Sequence, residues 1–177
     1  MTYPAGAHTA AGRGVVLQPG EGRVIPLGEV GVVTMKASRA DSGGTISAYE
    51  FVLPAATAGP PLHLHRSWDE TFYVLEGTMT FVVDGIVSSA PASSFVFVPR
   101  GIEHTFWNES DQPARQLTVF TPSGIEDYFD ALHSDMTRGA DASLESAVAL
   151  MEAHDMVVPQ GDQRGYGAIP GQPGESR

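Results

Sequence analysis

Short runs of alternating apolar and polar residues, separated by turns rich in Gly, Pro and Asp, occupy most of the first 121 residues. A period of two is typical of strands, because successive side chains of a strand point to opposite faces. Asp84 and Gly85 lie between two such runs and form a strong hairpin signal. Many short strands joined by turns indicate an all-β sandwich or barrel. The predicted strands are 15–17, 23–27, 32–36, 45–52, 71–75, 78–83, 86–89, 95–98 and 115–120.

The pattern changes to a helical period after Thr121. Ser123 and Glu126 match a capping box, and a stripe of apolar residues follows with the spacing of one helix face. The stripe consists of Ile125, Tyr128, Phe129, Leu132 and Met136. Gly139 ends this helix, and a second helix is predicted from about residue 141 or 143 to residue 155. The two helices need an apolar surface, which the outside of the barrel, its mouth or a second subunit would provide.

These patterns divide the chain into four parts. Residues 1–14 form a flexible N-terminal segment, 15–121 the barrel, 122–158 the C-terminal helices and 159–177 a tail rich in Gly and Pro. The tail is expected to be an extended arm or to be disordered.

Composition excludes several classes of function. The net charge of −11 argues against nucleic acid as a partner. No apolar run approaches the roughly 18 residues of a membrane span, and the N-terminus lacks the pattern of a signal peptide, so a cytoplasmic protein without a membrane partner is expected. The chain has no cysteine, and a metal would therefore be bound through nitrogen and oxygen.

The stretch from residue 60 to residue 108 holds most of the chemistry. His63 and His65 share one face of a strand, so that their imidazoles point in one direction. Glu70 follows soon after, and His104 stands behind a Pro-x-Gly turn on the far side of the hairpin. Three imidazoles and one carboxylate suit a single divalent first-row metal, and the sequence does not choose among Fe, Mn, Ni, Cu, Co and Zn.

These segments resemble the two sequence motifs of the cupin superfamily. The matching residues are His63, His65, Glu70 and Gly77 in the first motif, and Pro99, Gly101, His104 and Asn108 in the second. The opening glycine of the first motif falls on Thr57, with Gly59 nearby, and that of the second falls on Ser93. The resemblance implies a double-stranded β-helix, or jelly-roll barrel, of nine to eleven strands with a C-terminal helical extension. It also implies that His63, His65, Glu70 and His104 bind the metal.

The lining of the site is predicted from strand parity. Phe72 and Val74 continue the face of Glu70, and Phe106 continues that of His104. Further candidates for contact with a substrate are Phe51, Met79, Phe81, Phe95 and Phe97, although most of these aromatic residues are expected in the core. Asn108 is expected to make hydrogen bonds in a turn or around the site rather than to bind the metal.

Within the superfamily, the chain resembles the small single-domain proteins grouped with quercetin 2,3-dioxygenases. That resemblance implies a metal-dependent dioxygenase that acts on O2 and a small aromatic or enolisable substrate. Glu70 would be a metal ligand, a general base, or both. Two alternatives remain open: a non-redox isomerase, cyclase or lyase that uses the metal as a Lewis acid, and a non-catalytic domain that binds a small molecule. A homodimer is expected.

Overall fold

The computed structural model describes residues 14–139 and 143–159. The predicted flexible segment 1–14 and the tail 159–177 lie outside these ranges, apart from residues 14 and 159. The strands are β1 (Arg23–Pro26), β2 (Val32–Ala37), β3 (Ser47–Leu53), β4 (Leu64–His65), β5 (Asp69–Glu76), β6 (Thr78–Val83), β7 (Ile86–Pro91), β8 (Phe95–Val98), β9 (His104–Trp107), β10 (Ala114–Thr121) and β11 (Met156–Val157). The helices are α1 (Arg39–Ser42), α2 (Ile125–Arg138) and α3 (Leu144–Ala153), with a 3₁₀ turn at Gly28–Val30.

The strands form a six-stranded sheet in the order β1-β2-β3-β10-β5-β8, a three-stranded sheet in the order β7-β6-β9, and the pair β4-β11. The two larger sheets pack against each other through aromatic side chains. Phe72 of β5 lies 5.0 Å from Phe81 of β6 and 5.4 Å from Phe106 of β9, measured between ring centroids. The predicted jelly roll with a C-terminal helical extension is confirmed. The predicted strand at 15–17 is wrong, because these residues pair with no strand of the described chain.

Strand β10 lies at the centre of the larger sheet and turns alternate residues towards the interior. Gln116, Thr118 and Phe120 are fully or almost fully buried on this inner face. On the β5 side, Phe120 pairs with Glu70, Thr118 with Phe72 and Gln116 with Val74. On the β3 side, Thr118 pairs with Tyr49 and Gln116 with Phe51. The inner face of β10 therefore places a row of polar and aromatic side chains beside Glu70.

Backbone geometry shows what the chain requires near the two opening motif positions. Ser93 stands where the second motif opens with glycine and has φ 74°, in the left-handed region that glycine adopts most easily. Gly59 approaches strand β9 so closely that an added Cβ would lie 1.5 Å from the carbonyl oxygen of Phe106. Near the first motif, the position without room for a side chain is therefore residue 59, and Thr57 does not need to be glycine.

Helix α2 begins with Gly124 as its N-cap, without a side-chain cap, so the predicted capping box is wrong. Its Glu126 is instead buried and accepts hydrogen bonds from the backbone N–H of Arg39 at 2.8 Å and from the Ser47 hydroxyl. These contacts tie the start of α2 to the barrel, and a side chain engaged in this way does not reach back to the cap. Among the described residues, no helix is long and apolar enough to cross a membrane.

Two aromatic residues of β8 lie on the outer face of the barrel, at the edge of the six-stranded sheet. Phe95 is 66% exposed and Phe97 is 52% exposed, so their predicted place around the site is wrong. Parity identified a shared face for these two residues but not which face is inner. The homodimer stays a prediction, since the structure describes one chain.

Candidate metal centre

Three backbone hydrogen bonds hold the histidine-bearing segments together. His63 and His104 form an isolated bridge in which each N–H donates to the other's carbonyl, at 3.1 and 2.8 Å. The Gly101 N–H donates to the His65 carbonyl at 2.7 Å. Glu70 lies on β5, the strand that follows β4 in the chain. Residues distant in sequence are thereby fixed on one side of the barrel interior.

The four predicted ligands converge in the buried interior. One potential ligand atom from each of His63, His65, Glu70 and His104 lies within 4.8 Å of the others, and each residue is at most 3% exposed. The Oε2 atom of Glu70 lies 2.9 Å from Nε2 of His104 and 3.2 Å from Nε2 of His65. Adjacent ligands bonded to a metal at about 2.1 Å are roughly 3 Å apart. The spacing therefore fits a bound ion.

Hydrogen bonds orient two of the imidazoles. Nδ1 of His63 lies 2.9 Å from the Pro61 carbonyl oxygen, and Nδ1 of His104 lies 3.0 Å from that of Ile102. A carbonyl only accepts, so in the neutral ring Nδ1 carries the proton and Nε2 keeps its lone pair. A lone pair facing the Glu70 carboxylate is unfavourable unless a proton or a cation lies between them. This arrangement of donors is the one that metal-binding histidines adopt.

The electrostatics of the cluster keep the imidazole of His63 neutral and Glu70 ionised. Burial, with the neighbouring His104 and His65, lowers the pKa of His63 well below its usual value. Burial raises the pKa of Glu70, but hydrogen bonds and charge from His104 and His65 outweigh that effect and lower the pKa to about 2. A neutral imidazole and an ionised carboxylate are the forms that bind metals. The cluster can hold a metal ion, of a kind that the donor set leaves open.

A cavity of about 300 Å³ opens above the cluster. This volume lies at the lower end of the range for small-molecule sites. Three of the predicted ligands line it, namely His63, His65 and Glu70. The remaining walls are largely apolar: Leu27, Val30, Tyr49, Phe51, Ala58, Gly59, Pro60, Phe106, Phe120, Ile125, Tyr128, Phe129, Leu132 and Met156. Such a cavity shields the cluster from bulk water.

Of the six side chains predicted to contact a substrate, Phe51 and Phe106 line this cavity. The other four are fully or almost fully buried and belong to the main hydrophobic core rather than to the cavity wall: Phe72, Val74, Met79 and Phe81. Parity predicts which face of a strand is inner, but it does not predict depth along the barrel. The two cavity-lining side chains and the four core side chains therefore differ in their position along the barrel and not in the face of the strand.

Sequence reasoning missed the contribution of the C-terminal region to the cavity. Helix α2 covers the mouth of the barrel through Ile125, Tyr128, Phe129 and Leu132. Met156 joins them from β11, which pairs with the ligand-bearing strand β4. The helical stripe was the available signal, and it predicted an apolar contact surface without identifying the mouth of the barrel as that surface.

Tyr49 was also missed, although it lies on the inner face of β3 and lines the cavity. Its ring centroid is 4.9 Å from that of Phe129 and 6.2 Å from that of Phe120, which hold the ring between β10 and α2. Burial, followed by the charge of Glu70, raises the pKa of Tyr49 well above its usual value. Its phenol is therefore a hydrogen-bond donor at neutral pH.

Asn108 makes the contacts of a turn residue. Its side-chain N–H₂ donates to the carbonyls of Leu53, Pro54 and Gln112, and its side-chain oxygen accepts from the N–H and hydroxyl of Ser110. No hydrogen bond in the described part of the chain joins it to the four predicted ligands. Of the two roles expected for Asn108, the geometry supports the turn.

Comparison with known proteins gives a family match for part of the chain and a shared fold. Residues 49–120 match the family model described as Cupin domain. A segment of 54 residues is 43% identical to the protein named Oxidoreductase iacF of Pestalotiopsis fici, and covers 30% of this chain. The aligned segment spans about a quarter of that relative's length, 26%.

Solved structures are similar over most of the barrel. An RmlC-like cupin from Shewanella frigidimarina superimposes with a TM-score of 0.53 and is 19% identical, covering 63% of this chain and 93% of that one. KdgF from Halomonas sp. gives a TM-score of 0.57 at 14% identity, covering 65% and 99%. At these identities the likeness shows a shared fold.

Proposed function

The chain belongs to the cupin superfamily, and from this premise we propose that it is a metal-dependent oxidoreductase, specifically a dioxygenase acting on a small aromatic or enolisable oxygenated substrate. One observation carries the proposal. Three imidazoles and an ionised carboxylate meet at one side of an apolar cavity of about 300 Å³. The 43% identity over 54 residues to a protein named as an oxidoreductase supports the redox reaction over the alternatives.

His63, His65, Glu70 and His104 would hold the metal. A bound divalent ion such as Fe, Mn, Ni, Cu or Co would supply Lewis acidity and a redox partner for O2. The ligand role of Glu70 is supported by geometry, because its Oε2 atom lies 2.9 Å from Nε2 of His104 and 3.2 Å from Nε2 of His65.

The remaining residues of the cavity would bind and orient the substrate. Phe51, Phe106 and Phe120 offer flat apolar surfaces to an aromatic ring. The protonated phenol of Tyr49 can donate a hydrogen bond to a substrate oxygen. Four apolar side chains of α2 form part of the cavity wall, and a wall of low polarity strengthens electrostatic interactions beside it.

An oxygen electrode tests the proposal. The protein is stripped of metal, reloaded with each ion in turn and offered a panel of flavonols and 1,3-dicarbonyl compounds. We expect O2 uptake that requires both metal and substrate and that falls at least about a hundredfold in His104→Ala. The His133→Ala variant is the matched control, because His133 lies on α2 and is not one of the four ligands.

The other outcomes separate the remaining hypotheses. Substrate turnover without O2 and with Zn as the metal would replace the dioxygenase with a Lewis-acid isomerase, cyclase or lyase. Tight metal-dependent binding of panel compounds without turnover would indicate a non-catalytic binding domain. Absence of O2 uptake with every ion and every compound of the panel would contradict the proposed activity.

A further inference from the structure

The two larger sheets each end in a strand that has no further neighbour, and these two strands lie beside one groove. Strand β8 is the last strand of the six-stranded sheet, and β7 is the last strand of the three-stranded sheet. Within residues 14–139 and 143–159, no other strand pairs with the free side of either one. A groove of about 510 Å³ is lined by both strands, Ile86, Phe95 and Phe97 included. We call β7, β8 and this groove the open edge.

The open edge exposes large apolar side chains. Phe95 and Ile86 are each 66% exposed, and Phe97 is 52% exposed. Tyr73, which is 40% exposed, stands directly opposite Phe95 on β5 and extends the same surface. Of the described residues that line the groove, only Asp84 is charged. Adjoining exposed aromatic residues with little charge among them are typical of the centre of a protein–protein interface.

Strand β8 lacks the features that keep an edge strand from pairing with another chain. Natural edge strands carry charged residues, proline or a bulge, or are covered by a helix or loop. The residues of β8 are Phe95, Val96, Phe97 and Val98, and its pairing with β5 is regular. An uncharged, regular edge strand with two exposed aromatic residues indicates a surface that a partner covers.

The remaining parts of this chain are poorly matched to the open edge by composition. Residues 1–13, 140–142 and 160–177 contain four large apolar residues between them: Met1, Tyr3, Tyr166 and Ile169. A second copy of the chain instead brings the same aromatic cluster. Twofold symmetry places one surface patch against the identical patch of the partner, so the patch must be complementary to itself. A neutral aromatic patch meets that requirement.

The exposed area is of the size that a dimer interface needs. With roughly 150–250 Å² for a whole aromatic side chain, Tyr73, Phe95 and Phe97 together expose about 300 Å² on each protomer. A stable interface buries about 600–1,000 Å² on each partner. The three aromatic side chains thus account for about half of the smallest such interface, and Ile86 and the β8 backbone add to it.

We propose that a second copy of the chain covers the open edge, in a homodimer whose two β8 strands lie side by side across a twofold axis. Phe95 and Phe97 of each copy pack against the same two residues of the other. The inference gives the expected homodimer a defined surface. It does not depend on the proposed function, because no residue that lines the groove also lines the cavity above the candidate metal centre.

Sedimentation equilibrium of the full chain tests the inference. At micromolar concentration we expect the wild type to have twice the 18.7 kDa mass of the chain. The double variant Phe95→Lys, Phe97→Lys should raise the dissociation constant at least about a hundredfold, because like charges then meet across the axis. The matched control is Val24→Lys, Val32→Lys, which adds the same charge at exposed valines near the opposite edge of the six-stranded sheet and should stay dimeric.

An exchange of charge identifies the second copy as the occupant. The variant Phe95→Asp, Phe97→Asp should be monomeric for the same reason as the lysine variant. An equimolar mixture of the two variants should form a heterodimer, because opposite charges then meet at the same surface. Circular dichroism of both variants should match that of the wild type, since the substituted side chains are exposed. Phe95→Ser, Phe97→Ser repeats the dissociation test without charge should the charged variants unfold.

Three results would overturn the inference: a monomeric wild type, a dimer that persists in both charged variants, and a mixture of these variants that stays monomeric. A monomeric wild type that dimerises only after removal of residues 160–177 would overturn it in favour of a C-terminal tail that covers the open edge.

Discussion

Asn108 and Gln116 are two amides with the same burial and opposite surroundings. Each side chain is 0% exposed, and they lie eight residues apart in the chain. The side chain of Asn108 takes part in five hydrogen bonds, whereas the side chain of Gln116 makes none within the described residues. Burial therefore does not by itself determine whether a polar side chain is hydrogen-bonded. The distinguishing property is whether the protein supplies the partners.

Local backbone structure explains the difference. Asn108 lies at the end of β9 next to a turn, where the carbonyls of Leu53, Pro54 and Gln112 are within reach of its amide. Gln116 lies within β10, where β3 and β5 pair on either side and take up the backbone N–H and carbonyl groups. A polar side chain at such a position faces the barrel interior, where its partner is another side chain, an ordered water or a ligand.

The largest expected effect follows from removing the Asn108 amide. Asn108→Leu would leave three backbone carbonyls and Ser110 without these bonds, so we expect a loss of about 3 kcal/mol or more in the free energy of unfolding. Urea denaturation of the metal-free protein measures it, with Gln116→Leu as the comparison. Equal losses in the two variants would show that the hydrogen-bond partners do not determine the contribution of a buried amide here.

A smaller effect is expected from Glu70→Gln, and it should depend on metal. A metal at a hundred times its dissociation constant stabilises the folded protein by about 2.7 kcal/mol. Glu70→Gln keeps the size of the side chain but removes the charge, so most of this metal-dependent gain should disappear. The gain is measured as the difference in urea midpoint with metal and with chelator.

Glu103→Gln is the charge-matched control, because Glu103 is exposed on the loop that precedes His104. It should keep the full gain. A gain in Glu70→Gln as large as that of the wild type would show that Glu70 is not a metal ligand.

The smallest effect is expected at the surface pair of Asp69 and Arg100. Asp69 accepts three hydrogen bonds from Arg100, at 2.9–3.0 Å, which lower its pKa to about 2. The side chains are 30% and 50% exposed, so solvent screening limits the contribution to less than about 1 kcal/mol. Asp69→Asn therefore tests whether exposed hydrogen bonds contribute less to the free energy of unfolding than the buried hydrogen bonds of Asn108.

The pH dependence of this pair has a defined sign. The folded pKa of Asp69, about 2, is below the unfolded value of about 3.9. The stabilisation is therefore present above about pH 4 and is lost as the pH falls towards 2. Urea denaturation at pH 7 and pH 3 should show a smaller difference between wild type and Asp69→Asn at pH 3. A difference that grows at pH 3 would contradict the assignment.

The candidate metal centre and the fold class could be predicted because their signals are local. The parity of His63 and His65 depends on strand geometry alone, and the hairpin is determined by Asp84 and Gly85, which have φ of 51° and 73° in the structure. Turn chemistry and residue spacing therefore predicted that the chain returns His104 to the side of His63 and His65. The helix stripe likewise predicted α2, although not its cap.

The tertiary structure alone decided what surrounds the centre. Phe51 faces the cavity while Phe81 fills the core, and α2 covers the mouth rather than the outside of the barrel. The missing partners of Gln116 also became evident only in three dimensions. Each of these properties depends on contacts between strands and helices far apart in the chain. Periodicity in a single sequence specifies the face of a residue, whereas depth, cover and hydrogen-bond partners are properties of the packed chain.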